Sequence, residues 1–203
     1  MSKWGNIFFR EGEDFRAGAV FVVDKPLHWT SFDVVNKVRI CLRKGCVGKE
    51  TKKIEEYMGQ EKEYVAEITF GHTTPSYDLE TSFDKEFPYE QVDRACLERA
   101  VQQFIGEIEQ FPPSYSAVRV DGEMKSRKVM VREIEILKAE FPIVELRIVC
   151  SKGTYIRSLA HDLGKVCGSG SHLSALRRTR VGDFRVEDGF KMDEIIGVLQ
   201  ENL

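Results

Sequence analysis

A chain of 203 residues, 42% hydrophobic and 31% charged, is long enough for one substantial core and has the make-up of an ordinary soluble globular domain. Charges interrupt every apolar run short of a membrane span, and the N-terminal MSKWGNIFFREGEDF has no hydrophobic run ending in a small-residue cleavage site, so neither a transmembrane helix nor a secretory signal is read. A net charge of −3 gives no support for nucleic-acid binding, and five cysteines, odd in number and never in a CxxC, argue against a disulfide framework and a zinc site; the cytoplasm fits best.

Gly18 to Asp24 is a β-rich run closed by Lys25-Pro26 and reads as a strand entering a turn. Thr30 or Ser31 then caps a helix running to about Leu42, with Val34, Val35, Val38 and Leu42 on one face. Lys62 to Gly71 alternates as a strand that ends on a glycine. The clearest helical pattern is Gln91 to Gln110, where Val92, Cys96, Val101, Phe104, Ile105 and Ile108 recur at helical spacing until Phe111-Pro112-Pro113 stops it. Tyr115 to Val120, Val131 to Leu137 and Ile143 to Cys150 read as strands. A helix over Ile156 to about Val166 follows, then a short one near His172 to Arg178, a strand around Val181 to Val186, and a last helix from about Met192 to Leu199. Without regular βαβ alternation, the expected fold is α+β: a mixed, largely antiparallel central sheet flanked by helices. With no repeat, low-complexity stretch or Gly/Ser linker, residues 1–203 read as one domain. Two junctions are abrupt, Arg43-Lys44-Gly45 into Cys46-Val47-Gly48-Lys49 and Asp121-Gly122-Glu123-Met124 into Lys125-Ser126-Arg127.

The charges are unevenly spread. Lys37 to Lys53 holds seven basic residues against Glu50 alone, and Ser171 to Arg185 four arginines against Asp183. Asp78 to Glu109 holds nine acids against three basic residues. That pattern suits either one basic face opposite an acidic back or merely solvated faces.

Cys150-Ser-Lys-Gly-Thr-Tyr-Ile-Arg157 is the most suggestive stretch: a strand ends at a Gly-containing turn and a helix begins, which points N–H groups outward with Lys152 and Arg157 able to meet an anion. The bland alternative is an ordinary β–α turn with exposed basic residues. His28, His72, His161 and His172 lack ligand-like spacing and read as surface or satisfied histidines. Tyr64 and Tyr155 are either core residues or platforms for an unpaired base, a stacking contact of roughly 1–3 kcal/mol; the residues alone do not choose.

Four segments, in order, resemble one family. Asp24-Lys-Pro-Leu-His-Trp-Thr-Ser31 is similar to a DKPxGxTS motif, with His28 where glycine is usual. Lys62 to Gly71 with Thr73-Thr-Pro-Ser-Tyr-Asp78 resembles a tyrosine-bearing strand and its loop. Gln110-Phe-Pro-Pro-Ser-Tyr-Ser-Ala-Val-Arg-Val-Asp-Gly122 is similar to QxPPxYSAxxxxG, and Cys150 to Arg157, Asp162-Leu-Gly164 and Leu176-Arg-Arg178 match the closing motifs. The chain thus resembles the TruB-type pseudouridine synthases.

The resemblance implies an enzyme that flips a uridine out of the tRNA T-loop, breaks its glycosidic bond and rejoins the ring through C5, with no cofactor and no metal, acting as a cytoplasmic monomer without contact to a membrane. It implies that Arg157 pairs with a catalytic aspartate, that Tyr64 stacks on the target base and assists proton removal at C5, and that Lys25, Tyr155 and Leu176 line the pocket. Lys152, Arg177 and Arg178 would hold phosphates, which position RNA without reading its sequence. The family's GHxGTLDPxATG stretch, with its aspartate, belongs between Gly45 and Cys46, and a YxxAR-containing segment between Met124 and Lys125; neither is among the 203 residues. No room is read for the C-terminal PUA domain that many relatives carry. Another reading is a catalytically inactive tRNA-binding protein or a tRNA-folding chaperone, which needs the binding face but not the aspartate.

Overall fold

A computed structural model describes residues 7–8, 20–26, 29–41, 54–113 and 125–201. The elements are β1 (Ile7–Phe8), β2 (Val20–Phe21), β3 (Val23–Asp24), α1 (Ser31–Cys41), α2 (Ile54–Gly59), β4 (Lys62–Phe70), β5 (His72–Thr73) and β6 (Lys85–Glu86). They continue with α3 (Arg94–Gln102), β7 (Gly106–Gln110), β8 (Arg127–Glu140), β9 (Ile143–Cys150), α4 (Ile156–Val166), β10 (Ser171–Val181), β11 (Phe184–Arg185), β12 (Phe190–Lys191) and α5 (Met192–Glu201). The chain divides into two compact units, one of residues 1–58 with 180–203, the other of residues 59–179.

The 59–179 unit is built on strands ordered β10-β4-β9-β8-β7, with the β4–β9, β9–β8 and β8–β7 pairings all antiparallel. Period-2 alternation decides which face is buried. On β4, Ala66, Ile68 and Phe70 face the core, and on β9 Val144, Leu146, Ile148 and Cys150 do. On β8 the buried positions switch from odd, Val129 and Val131, to even, Ile134, because a bulge between Val131 and Glu133 inserts one residue. A second irregularity near Leu137 follows. Leu97, Ala100 and Val101 of α3 and Ile156, Leu159, Ala160 and Leu163 of α4 cover this face in one apolar cluster. The other face is polar: Arg147 on β9 is ion-paired with Glu63 of β4 and with Glu133 and Glu135 of β8.

In the other unit β3 runs parallel to β12, and Val38 of α1 packs with Met192 and Ile195 of α5. Thr30 caps α1 reciprocally: its N–H donates to Asp33 Oδ2 at 2.6 Å and its hydroxyl accepts from the Asp33 N–H at 3.1 Å.

The α+β class with a mostly antiparallel sheet is as expected, and α1, β4, β9, α4 and α5 lie where the patterns place them. Three expectations are corrected. The helix expected over Gln91 to Gln110 is α3 only as far as Gln102; Gly106 at φ +106° turns the chain, and Gly106–Gln110 pairs with Arg127–Val131 as β7. Phe111-Pro112-Pro113 therefore ends a strand, not a helix. The short helix near His172 to Arg178 is instead the strand β10, with Ser171, His172 and Leu173 buried where it enters the sheet. Pairing with distant strands supplies hydrogen bonds that local spacing does not reveal. Val35 is exposed rather than on the buried face of α1. The strand over Tyr115 to Val120, Leu42, His28, the first abrupt junction and residues 121–124 of the second lie outside the described residues.

Candidate active site

The β9–α4 turn is locked from two sides. Ser151 donates its N–H to the Met130 carbonyl at 2.8 Å, and the Thr154 hydroxyl donates to the Ser151 carbonyl at 2.9 Å. Gln110, only 2% exposed, clamps Tyr155 with both ends of its carboxamide: the Tyr155 N–H donates to Oε1 at 3.0 Å, and Nε2 donates to the Tyr155 carbonyl at 3.3 Å. Ser158 donates to the Phe111 carbonyl at 2.7 Å. The start of α4 is thus tied to the end of β7. Gly153 turns the chain at φ +81°, a conformation that costs a glycine little. The expected outward row of N–H groups is incomplete here, since those of Ser151 and Tyr155 already have protein partners.

Arg157, in the first turn of α4, points at an acid. Its Nη1 lies 3.0 Å from Asp78 Oδ2 and 3.6 Å from the exposed Glu80. The Arg157 side chain is 24% exposed, and its guanidinium carries five N–H donors. Among the described residues its recorded contacts run through one nitrogen, which leaves donors for a second acceptor. Asp78 sits in a tightly made turn. Its carbonyl accepts from the Thr74 hydroxyl at 2.6 Å and the Ser76 hydroxyl at 3.1 Å, and both residues are fully buried. Tyr77 adopts φ +65°, a left-handed conformation that costs a non-glycine residue about 1 kcal/mol or more and persists only where its surroundings over-determine it.

Tyr64 lies on β4 opposite Ile148, half-buried against the core, and feels the positive charge of Arg178 of β10. Burial raises the pKa of the phenol, and the arginine opposes this. Next to it, Lys62 has its ammonium pKa lowered, first by burial and then by the positive charges of Arg178 and Lys152. Lys62, Lys152 and Arg178 therefore share one electrostatic neighbourhood at the end of β4, and burial likewise raises the pKa of the adjoining Cys150 thiol. The Arg127 guanidinium lies 5.2 Å from the centre of the Tyr155 ring, within cation–π range. Leu176, 46% exposed, and Arg177 sit on the exposed stretch of β10. Lys25, in the other unit, is exposed and donates to the carbonyls of Trp29 at 2.5 Å and Pro26 at 3.2 Å.

The structure thus brings Tyr64 near Arg178, groups Lys62 with Arg178 and Lys152, and gives Arg157 the partner Asp78. The position between Gly45 and Cys46 lies outside the described residues. Asp78, Lys62 and Arg127 were not singled out from the sequence. The available signal for Asp78 was the run Thr73-Thr-Pro-Ser-Tyr, dense in turn-forming and hydroxyl residues before a carboxylate. Lys62 and Arg127 each stand at the first position of a strand, where alternation gives no hint of a partner across the sheet. Of the histidines, His172 is buried with Nδ1 3.0 Å from the His72 carbonyl, and His72 stacks on Phe83 at 4.6 Å. His161 departs from the expectation of a satisfied ring, since its Nδ1 is buried without a hydrogen-bond partner. Among the described residues no group of three or more His, Cys, Asp or Glu is arranged to hold a metal ion.

The fold is shared with a solved Cbf5-Nop10-Gar1 complex at TM-score 0.73 and 28% identity, over 90% of this chain and 54% of that one. A second match, at TM-score 0.67 and 26% identity, is an H/ACA RNP bound to a substrate RNA containing 2′-deoxyuridine, over 87% of this chain and 52% of that one. This chain therefore spans about half the length of its structural neighbours. The α+β fold and the relatives this chain matches define its class as an RNA pseudouridine synthase, an isomerase. Residues 45–156 match the TruB family pseudouridylate synthase N-terminal domain, and residues 157–202 the tRNA pseudouridylate synthase B C-terminal domain. The chain belongs to the TruB family of pseudouridylate synthases. It is 44% identical to the tRNA pseudouridine synthase B of Phocaeicola vulgatus over 86% of this chain and 90% of that one. It is 42% identical to that of Flavobacterium johnsoniae (87% and 93%) and 38% identical to that of Parabacteroides distasonis (94% and 97%). The match to the first spans 212 positions, more than the 203 residues of this chain although it covers only 86% of them, so the relative carries internal segments that this sequence lacks.

Proposed function

We propose that this protein converts one uridine in the T-loop of tRNA to pseudouridine in the cytoplasm, as a monomer, with residues 1–203 forming one catalytic domain. In the reaction the N1–C1′ bond breaks and a C5–C1′ bond forms; C5 gives up its proton and N1 gains one. The balance needs no oxidant or group donor, hence no cofactor. The observation that carries the reading is Arg157, fixed on one side by Asp78 and with donors left for a second carboxylate. A cation at such a distance keeps a partly buried carboxylate ionised, which suits an aspartate acting on the sugar.

Tyr64, uncharged at neutral pH, would offer its ring face to the flipped uracil, with Tyr155 and Leu176 as further candidate contacts of the same unit; Lys25, of the other unit, is a candidate substrate contact in its own right. Lys62, Lys152, Arg177 and Arg178 would hold phosphates. The aspartate is assigned to a segment joined between Gly45 and Cys46, in keeping with the internal segments of the relatives. An intact mass of 23.3 kDa would mean that the segment is truly missing. That outcome favours the second reading, a tRNA-binding or tRNA-folding protein without turnover, which the absence of the aspartate from the 203 residues also supports.

The test is release of tritium from C5-labelled uridine in a T-loop substrate. Arg157→Met should abolish release and leave RNA affinity nearly intact. A wild-type protein that binds the substrate but releases no tritium sinks the isomerase reading.

A further inference from the structure

Arg157 and His161 stand one turn apart on α4, and both meet the same stretch of chain. Arg157 reaches Asp78. One residue earlier, the Tyr77 ring lies on the His161 imidazole with centroids 3.9 Å apart and planes 10° from parallel. Two links one residue apart therefore join α4 to the turn at 74–81, one ionic and one aromatic.

The turn is built to present that ring. Tyr77 holds its left-handed backbone between a hydrogen bond from its own N–H to the Thr74 carbonyl at 3.1 Å and one from the Leu173 N–H to its carbonyl at 2.9 Å. Thr74 and Ser76 spend their buried hydroxyls on the Asp78 carbonyl. These bonds fix the backbone, yet none of them touches the Asp78 carboxylate, whose recorded side-chain contacts are Arg157 and the Glu80 N–H. His161 leaves Nδ1 buried without a partner. The arrangement uses the face of the ring rather than that nitrogen.

We propose that the Tyr77–His161 stack is a positioning clamp for the Asp78–Arg157 pair: it presses the 74–81 turn against α4 and so sets where the guanidinium points. His161 and Tyr77 are positioning residues acting through Asp78, and the inference rests on the isomerase reading above. A flat ring at 161 is what the clamp requires; a proton-carrying nitrogen is not.

Rates and RNA affinities of His161→Phe, His161→Ala and Tyr77→Gly test this. His161→Phe should keep kcat within about threefold of wild type, and His161→Ala should lower it on the order of 10–100-fold with KM and RNA affinity little changed. Tyr77→Gly relaxes the left-handed backbone yet removes the ring, so kcat should fall without loss of unfolding midpoint. In an Asp78→Ala background, His161→Ala should cost nothing further, because a clamp acting through Asp78 has nothing left to hold. Equal behaviour of the Phe and Ala variants, or losses that multiply in the Asp78→Ala background, would overturn the clamp. The same cycle read by urea unfolding keeps the two questions apart: a wild type without tritium release defeats the isomerase reading, whereas unfolding costs of His161→Ala and Asp78→Ala that add independently defeat the clamp.

Discussion

Burial raises the pKa of the Tyr64 phenol and the positive charge of Arg178 pulls the other way; the upward effect wins, so the hydroxyl keeps its proton near neutrality. A neutral ring stacks well and is a poor base. Tyr64→Phe should therefore retain more turnover than Tyr64→Leu, by on the order of tenfold, about the worth of one base–aromatic stack. Equal loss in both variants, measured by tritium release, would assign the hydroxyl a proton-transfer role instead. Asp78→Asn keeps the shape of the turn but removes the charge facing Arg157, and a drop in kcat on the order of 100-fold is expected from the loosened guanidinium. His161 adds a pH dependence. Burial, then the charge of Lys165, lowers its pKa below that of an ordinary imidazole, with Asp162, Asp84 and the Ser171 backbone opposing. The unfolded chain thus binds the proton more readily, so stability is undiminished above about pH 6.5 and falls as the pH drops from there toward the lower folded value. Urea midpoints at pH 7.5 and 5.5 should differ less in His161→Phe than in wild type.

Among the elements, α4 carries a tight packing constraint at a glycine. A Cβ on Gly164 would come within 2.5 Å of the Ser171 backbone nitrogen and 2.9 Å of the Gly170 carbonyl carbon, contacts that no rotamer change relieves. Gly164→Ala should cost roughly 1–2 kcal/mol in urea unfolding despite the better helix propensity of alanine, because overpacking against backbone, at the upper end of about 1–3 kcal/mol, outweighs the ~1 kcal/mol that alanine gains within a helix. The bulge in β8 does related work for the sheet. Without the extra residue between Val131 and Glu133, either Val129 and Val131 or Ile134 would face solvent. That switch from odd to even apolar positions is visible in the sequence once two strands are paired, and invisible before. The Gln91–Gln110 stretch shows the reverse: its apolar residues suit a helical period throughout, yet only the part before Gly106 is helical, because Arg127 to Val131 offers the rest a ladder.

For the molecule as a whole, a net charge of −3 sets no direction, but the structure places Lys62, Lys152 and Arg178 in one neighbourhood on the 59–179 unit. If that neighbourhood binds phosphates, tRNA affinity should fall steeply with salt, and the Lys152→Ala/Arg178→Ala double variant should flatten the log–log slope by about 2. Affinity indifferent to salt would remove the proposed basic face. The sequence by itself determined the fold class, because alternation along β4 and β9 and helical spacing along α4 report which side chains are buried, and burial is set locally by period. It also determined the family, through motifs spread over most of the chain. Only the tertiary structure decided that Arg157 meets Asp78, that Tyr64 comes under the charge of Arg178, and that β7 and β10 are strands. Those pairs stand 79 and 114 positions apart along the chain. Spacing carries information over a few residues, whereas a partner brought in across a sheet is chosen by the register of strands that no local pattern encodes.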